Sequence, residues 1–443
     1  MIEQSVGIYE QNGPDSLLQA VSNRLVESLG DAPVDFSFKI LNMPEPNAFA
    51  LPGGYIYISR GLFALLNNES ELATILGHEM VHVTRRHSAK QADKATLPAL
   101  LMLPGALVGS INNKLGSLIN APFALGSQLF MMRYSRGNER ESDRLGAQLA
   151  FESGYDPYAL PEILEHMAGV SNRISGSEEK KSYFSSHPYT PDRVSSLRKY
   201  LAKNGLNATS SRNPNGFIPA LDGLVWGQDV RNGVIEEEWF YLPGQLIRTK
   251  VPGNWKTEIS QAGMQATGPE EKALITLIKT GDSIPADSAA SLFLSRLASE
   301  TGMLPVADRN FKKQSFSVSH LQYMLATDDT SYLDLLFIHN GPELMLLAGS
   351  CLAPLHKQVL DLLASFEEVK AGELPVMNQT VIRVVHAKEG ETLPALSERT
   401  GNVWSPELTS LINGIDPAAE LEGGRPVKVA VNEIWKRDGS IKE

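Results

Sequence analysis

The sequence predicts an α+β protein in three parts, and three observations carry that prediction. Apolar residues recur at helical spacing through most of residues 1–203, interrupted by two short strand-like runs. Alternating and apolar runs of strand length dominate residues 217–370, with one long helical stretch among them. Between the two textures lies NGLNATSSRNPNG, residues 204–216, a run of turn formers and small polar residues that reads as a linker. Residues 371–443 make a third, small unit. A chain of 443 residues exceeds what one hydrophobic core usually supports, so division into domains is expected.

Composition limits the function. With 42% hydrophobic and 21% charged residues, the chain has the make-up of an ordinary globular protein. A net charge of −11 and the lack of a clustered Lys/Arg run exclude a nucleic-acid partner. The single cysteine, Cys351, rules out a disulfide within the chain and says little about compartment. The first residues, MIEQSVGIYEQNG, hold no basic stretch followed by an apolar one, so the expectation is a cytoplasmic protein or a trimmed mature form.

Taken in order, residues 15–29 place Leu17, Leu18, Val21, Leu25 and Leu29 at helical spacing and stop at Gly30, a residue suited to a helix C-terminus. VDFSFKIL, residues 34–41, alternates as a strand, and YIYI, residues 55–58, gives a second strand after the Pro52-Gly53-Gly54 turn. Helical spacing returns over residues 69–90 through Leu72, Ile75, Leu76 and Val83, with Ser70 as the expected N-cap. The apolar runs 95–108 and 115–132 are each shorter than the roughly 20 residues that span a bilayer, and Pro98, Pro104, Gly105 and Pro122 interrupt them. Two readings stand for residues 95–132: a pair of buried or cleft-covering helices, or a surface in peripheral contact with a membrane. In the second part, residues 235–251, 272–278, 315–324 and 332–347 read as strands, 286–299 as a helix and 353–365 as a closing segment, giving an antiparallel sheet with one or two helices. Trp226, Trp239, Trp255 and Trp404 are expected to fill cores. His320, His339, His356 and His386 show no ligand-like spacing.

The chemistry concentrates in ILGHEMVHVTRRH, residues 75–87. Residues four apart on an α-helix differ by about 40° and lie one above the other, so His78 and His82 can aim both imidazoles at one ion. Zinc takes neutral imidazole nitrogens readily, and a catalytic zinc keeps three protein ligands and a water. Glu79 stands one residue round from His78, where a carboxylate can take a proton from that water. A helix that merely contains histidines is the bland alternative for the five residues alone. The metzincin third ligand is absent, because Arg85 and Ser88 occupy the positions where that pattern needs Gly and His. His87, about half a turn from His78, is expected on the wrong side of the helix as a hydrogen-bonded structural histidine. The third ligand is sought on YSRGNERESDRLGAQLA, residues 134–150, where Glu139 and Asp143 lie four apart on one face. Glu139 can bind the ion while Asp143 accepts the spare ring N–H of a ligand histidine. Glu141 points elsewhere, and a solvated charged helix end is the alternative for this stretch in isolation.

NAFALPGGYIYISRGL (47–62), ELATILGHEMVHVTRRHS (71–88), YSRGNERESDRLG (134–146) and SSHPYTPDRVSSL (185–197) resemble, in order and spacing, the zinc metallopeptidase family of HtpX, the CAAX prenyl endopeptidases and the soluble periplasmic BepA-like proteins. The resemblance implies a zincin-like domain of the gluzincin type, with one zinc per chain on His78, His82 and Glu139. It implies Glu79 as general base and Asp143 as the partner of a ligand histidine. It further implies a substrate cleft lined by Asn47, Ala48, Gly53, Gly54 and Tyr55, where the strand at residues 55–58 can hold an extended peptide by edge pairing. His187 and Arg193 of the HPxxxxR element match the family's late histidine and arginine as catalytic candidates. His187 is a transient fourth ligand or a support for the tetrahedral oxyanion, and Arg193 is electrostatic or structural. Pro191 near a helix start gives that element a purely structural alternative.

Two further resemblances are looser. Residues from LPGQLIRTKVPGNWKTE to LLASFEEV resemble PsbP/Mog1-like α+β domains. Residues 381–431 are similar to a LysM repeat through Gly390-Glu391-Thr392-Leu393, the Asn413-Gly414 turn and Gly424 before a final strand. The BepA-like branch continues into helical repeats of 34 residues, whereas the continuation here has neither that period nor that texture. The expected function is a zinc-dependent endopeptidase in cell-envelope protein quality control, with protein or peptide substrates, peptidoglycan contact through the C-terminal module and a periplasmic or envelope location. The alternative is an envelope binding or assembly factor whose zinc domain is latent.

Overall fold

The computed structural model describes residues 2–87, 134–174, 183–208, 214–281, 283–325, 330–340, 343–436 and 441–442. The expectation for residues 95–132 lies outside them. Within them the protein is α+β, and no helix is long and apolar enough to cross a membrane.

The first part opens with α1 (Ile2–Ser5) and α2 (Asn12–Leu29), which ends at Gly30 as expected. A three-stranded sheet follows from β1 (Ser37–Leu41), β2 (Ala48–Leu51) and β3 (Tyr55–Ser59), in the order β1-β3-β2. β3 runs parallel to β1 and antiparallel to β2, so it is paired on both sides. That order corrects an expectation: residues 55–58 cannot receive a peptide by edge pairing, and the outer strands are β1, bridged at Leu41 to Ile8, and β2.

Ser59 closes β3 and caps α3 (Arg60–Leu65) by accepting the Leu62 N–H at 3.0 Å. α4 (Glu69–Thr84) is capped by Asn68 rather than Ser70: Asn68 Oδ1 accepts the Glu71 N–H at 3.0 Å, and its Nδ2 donates to Glu71 Oε1 at 2.9 Å. This reciprocal arrangement satisfies the helix start locally. It releases Ser70, whose hydroxyl accepts the Asp156 N–H at 3.0 Å. The helix also stops short of Lys90, because Arg86 turns the chain into a left-handed conformation at φ 55°.

α5 (Arg136–Glu152) crosses α4 at a pair of glycines. A Cβ on Gly146 would lie 2.6 Å from His78 N, and one on Gly77 would lie 2.8 Å from Gly146 O. The two backbones therefore touch, which only glycine permits. α6 (Ala159–Ile174), α7 (Tyr183–Ser186) and α8 (Pro191–Lys203) complete this part.

The second part holds β4 (Val234–Glu236), β5 (Trp239–Leu242), β6 (Ile247–Lys250), β7 (Lys256–Ser260), β8 (Gly263–Thr267), β9 (Ala273–Lys279), α9 (Ala286–Thr301), β10 (Ala307–Lys313), β11 (Phe316–Leu325), β12 (Ser331–Asn340), β13 (Glu343–Leu352), α10 (His356–Leu363) and β14 (Glu367–Glu368). Seven strands form an antiparallel sheet in the order β10-β11-β12-β13-β9-β8-β7, and β14-β6-β5-β4 form a second. α10 and α9 serve two separate apolar clusters of the larger sheet: Val359 and Leu363 pack with Leu336 and Leu347, Ala289 and Leu297 with Leu335 and Phe337. Asp334, fully buried, lies 2.8 Å from His320 Nε2 and 2.9 Å from His356 Nε2, a pairing across strands that linear spacing hides.

The last part runs β15 (Asn378–His386), α11 (Leu393–Thr400), α12 (Pro406–Asn413) and β16 (Pro426–Trp435), with β17 (Ile441–Lys442) beside β16. Its core is continuous with that of the first part. Val381, Ile382, Trp404, Ile412 and Ala430 belong to the same buried cluster as Leu72, Ile75 and Leu164, and so do Phe217, Leu221 and Leu224 from beyond residues 204–216. Two buried cations bolt the join. Arg60 donates to Val225 O at 2.8 Å, to Gly227 O at 2.6 Å and to Asn42 Oδ1 at 2.7 Å. Lys428, with no exposed surface, donates to Ala64 O and Leu66 O, both at 2.9 Å.

Gly146→Ala is expected to destabilise by about 1–3 kcal/mol through overpacking, seen as a lower thermal midpoint. Gly137→Ala in the same helix, where a Cβ meets only Ser135 Oγ at 3.7 Å, should be neutral or stabilising. A pH effect follows from Lys428. Burial pulls its ammonium down to about 7 from an ordinary value of 10.5, against the attraction of Glu71. Between those values the unfolded chain binds the proton and the folded chain does not, so stability rises with pH. The thermal midpoint of wild type relative to Lys428→Met should therefore climb from about pH 7 to about pH 9.

Candidate metal centre

Six side chains converge where α4, α5 and α7 meet. His78, Glu79 and His82 come from α4, Glu139 and Asp143 from α5, and His187 directly follows α7; all are buried. His78, His82, Glu139 and His187 each offer one ligand atom, and these atoms lie within 4.8 Å of one another. His82 Nε2 is 3.0 Å from His78 Nε2 and 3.4 Å from Glu139 Oε1. His187 Nδ1 is 3.2 Å from His78 Nε2 and 3.0 Å from Glu139 Oε1, and His78 Nε2 is 3.7 Å from Glu139 Oε2. Donors at 2.0–2.1 Å from a tetrahedral zinc stand about 3.3 Å apart, so the set has the size and the donor chemistry of a zinc site.

Charge points the same way. Glu79, Glu139 and Asp143 are buried acids, and Arg193 is the buried arginine among them. A divalent cation would balance that excess of negative charge. Burial would raise the Glu139 carboxyl, but His187 and His82 outweigh it and hold it well below the usual carboxylate range. Burial drives the His82 imidazole well below its ordinary value, which leaves it neutral, the form that binds a metal. Burial also lowers His187, yet the Glu139 and Glu79 carboxylates prevail and raise it. Glu79 is raised by burial, in the direction that suits a general base near neutral pH. Neither Glu79 oxygen has a hydrogen-bond partner among the described residues; His187 Nε2 lies 3.5 Å from Oε1.

A second layer fixes these groups. Asp143 Oδ1 stands 3.0 Å from His78 Nδ1, and both Asp143 oxygens accept from Arg193, from Nε and Nη2 at 2.7 Å. Arg193 Nη1 also lies 2.8 Å from Glu139 Oε2 and donates to His187 O at 3.2 Å. One guanidinium thus ties α5 to the segment that carries His187. α8 starts at Pro191, with Thr190 as cap accepting the Arg193 N–H at 3.2 Å, so the helix start and the electrostatic role of Arg193 coexist.

His87 is nearer than expected. The helical wheel does not apply past Thr84, and the turn at Arg86 brings His87 Nδ1 to 3.1 Å from His82 Nδ1, with Glu141 Oε2 3.3 Å from its other nitrogen. His87 thus orients His82 as Asp143 orients His78. Four more positions carried no assigned role. Tyr134 packs on His82 with ring centres 3.8 Å apart, and Tyr183 stacks on His187 at 4.5 Å and 15°. Gly77 and Gly146 set the helix crossing; their signal was glycine inside helical patterns, where it costs about 1 kcal/mol against alanine. The Tyr183 hydroxyl and both amide atoms of Asn47 are buried without hydrogen-bond partners among the described residues. The Tyr183 N–H donates to Pro46 O at 2.7 Å, which ties the start of β2 to the element preceding His187. Asn47 and Ala48 therefore sit at the metal-centre end of β2, whereas Gly53, Gly54 and Tyr55 form the turn beyond its other end, with Tyr55 48% exposed.

Replacing Asp143 by Asn should weaken zinc binding by about 10–100-fold, as measured by competition with a chromogenic chelator. An unchanged affinity would remove Asp143 from the support of His78.

Residues 14–201 match the model of peptidase family M48. The beta-barrel assembly-enhancing protease of Yersinia pestis is 35% identical over 186 residues, which are 41% of this chain and 37% of that protein. The mitochondrial metalloendopeptidase OMA1 of Schizosaccharomyces pombe is 26% identical over 182 residues, 41% of this chain and 51% of its own. This chain thus spans only 37% of the length of the bacterial relative. The solution structure of PsbP from Synechocystis aligns with 28% of this chain and 87% of its own at 11% identity and a TM-score of 0.23, which carries no argument. Residues 14–201, the N-terminal part of this chain, are thus similar to peptidase family M48.

Proposed function

We propose that the chain is a zinc-dependent endopeptidase of the cell envelope. The observation that carries this is the set of four buried donors within 4.8 Å of one another beside a buried carboxylate, Glu79, that has no hydrogen-bond partner among the described residues. In this reading His78, His82 and Glu139 hold one zinc, which when bound supplies Lewis acidity and lowers the pKa of a water. Glu79 takes the proton of the attacking water and delivers it to the leaving amine. Asp143 and His87 keep the two imidazoles oriented, and Arg193 keeps Asp143 ionised and holds Glu139 in place. An extended substrate adds to the open edge of β2, where the Asn47 amide can hydrogen-bond to its backbone.

Relatives named for enhancing β-barrel assembly support protein quality control in the envelope as the setting. The same proposal divides the chain into a zincin-like peptidase unit (1–203), a linker (204–216), an α+β unit (217–370) and a LysM-like module (371–443). The β-α-α-β order of the last supports contact with peptidoglycan. Peripheral membrane contact through residues 95–132 rests on their apolar sequence.

One observation favours a second reading, a latent enzyme. His187 Nδ1 stands at the fourth corner of the donor set, the corner a catalytic zinc keeps for water. His187 must then withdraw before substrate enters. Glu79→Gln should retain zinc and lose casein cleavage by at least about 100-fold. His187→Ala separates the readings: it raises cleavage if the histidine blocks the site and lowers it if the histidine supports the oxyanion.

A further inference from the structure

We propose that Lys428 of the C-terminal module is a positioning residue for the metal helix α4, acting through α3. Its ammonium reaches across the domain join to Ala64 O and Leu66 O, the carbonyls at the C-terminal end of α3. Two residues later Asn68 caps α4. Glu71, in the first turn of α4, faces Lys428 electrostatically and closes the cap by accepting the Asn67 N–H at 2.7 Å. The other titratable group facing Lys428 is His166 of α6, which burial holds down at about 4 and hence neutral near pH 7.

Lys428 is itself held in place. Asn413 of α12 accepts its backbone N–H at 2.7 Å and donates to its carbonyl at 2.9 Å. With Asn67 Nδ2 donating to Leu65 O at 3.2 Å, hydrogen bonds and the short α3–α4 link lead from α12 through β16 and α3 to the first turn of α4, and His78 lies two turns further along the same helix.

The metal ligands are sensitive to that position. α4 meets α5 backbone to backbone at Gly77 and Gly146, with no side chain between them to absorb a shift. Metal–donor distances tolerate only about 0.2 Å, so a small movement of α4 takes His78 and His82 away from Glu139. Removing the ammonium leaves two buried carbonyls without a donor and frees the end of α3 to move. On this account the C-terminal module is a fixed brace of the metal centre.

The proposal rests on the metal-binding reading, and the test separates the two. Zinc affinity of the metal-free full chain is measured by chelator competition for wild type, Lys428→Met, Asn413→Ala and Val359→Ala, alongside thermal midpoints and circular dichroism. Val359, buried in the middle sheet, is the control for lost stability alone. Lys428→Met is expected to weaken zinc binding by about tenfold with secondary structure intact, and Asn413→Ala to weaken it by a smaller factor in the same direction. Val359→Ala should lower the thermal midpoint and leave the affinity unchanged. Zinc binding within twofold of wild type in both module variants overturns the brace while leaving the metal reading standing. A wild type that takes up no zinc overturns both. If Lys428→Met does not fold, Asn413→Ala decides by the same criterion.

Discussion

Two helices pressed together without side chains between them are the constraint on which this protein depends. At Gly77 and Gly146 the backbones of α4 and α5 come so close that a single methyl group would strike the opposite chain. Everything chemical is arranged around that crossing. His78 directly follows Gly77, and Asp143 lies one turn before Gly146, so the contact that fixes the helices also fixes the 3.0 Å separation of His78 Nδ1 from Asp143. His82 and Glu139 lie one turn further along their helices and meet at 3.4 Å by the same geometry. The centre is assembled on two rigid rods, and such rods hold donors more closely than loops do.

Around the rods the acids are managed by one arginine. Arg193 spans Asp143 and Glu139 and touches the carbonyl of His187, so it joins the donor on α5, the support behind His78 and the fourth residue of the donor set. A buried guanidinium of this kind gains little for stability, because desolvation offsets most of its attraction. Its value lies in keeping Asp143 ionised and both carboxylates in one orientation. The histidines divide the work differently: His82 is neutral through burial, while His187 is drawn towards its cationic form by Glu79 and Glu139. Identical side chains a few ångströms apart thus differ in proton affinity because one packs mainly against tyrosine and histidine rings and the other faces two carboxylates.

Much of this was legible in the linear sequence, because helical spacing translates directly into facing side chains. His78, His82, Glu139 and Asp143 could be placed on two faces before any coordinates, and the structure brings them together. What escaped followed from events that spacing does not encode. The approach of His87 to His82 depends on one left-handed residue, Arg86. The displacement of the cap from Ser70 to Asn68 depends on Glu71 reaching back and on Asp156 claiming the serine. Sheet order put β3 in the middle, between β1 and β2, a property of pairing partners rather than of alternation. β10 carries too many polar and exposed residues to stand out as a strand, and β7 and β8 are five-residue strands that mix polar and apolar positions. The continuity of the core across the first and last parts was invisible too, since apolar residues announce burial without naming their neighbours.

That continuity bears on how the molecule comes into being. The buried cluster around the metal helix includes Ile382, Ile412 and Ala430, and the chain leaves and re-enters it through paired backbone at Leu224 and Ile382, with the whole seven-stranded domain strung between. The core surrounding the first two hundred residues can therefore close only once residues up to Ala430 are available to it. Contacts that join residue 64 to residue 428 are among the last to form, as loop closure over such a separation is slow. A chain cut short before residue 378 would therefore carry every donor of the centre, yet lack part of the core that surrounds it.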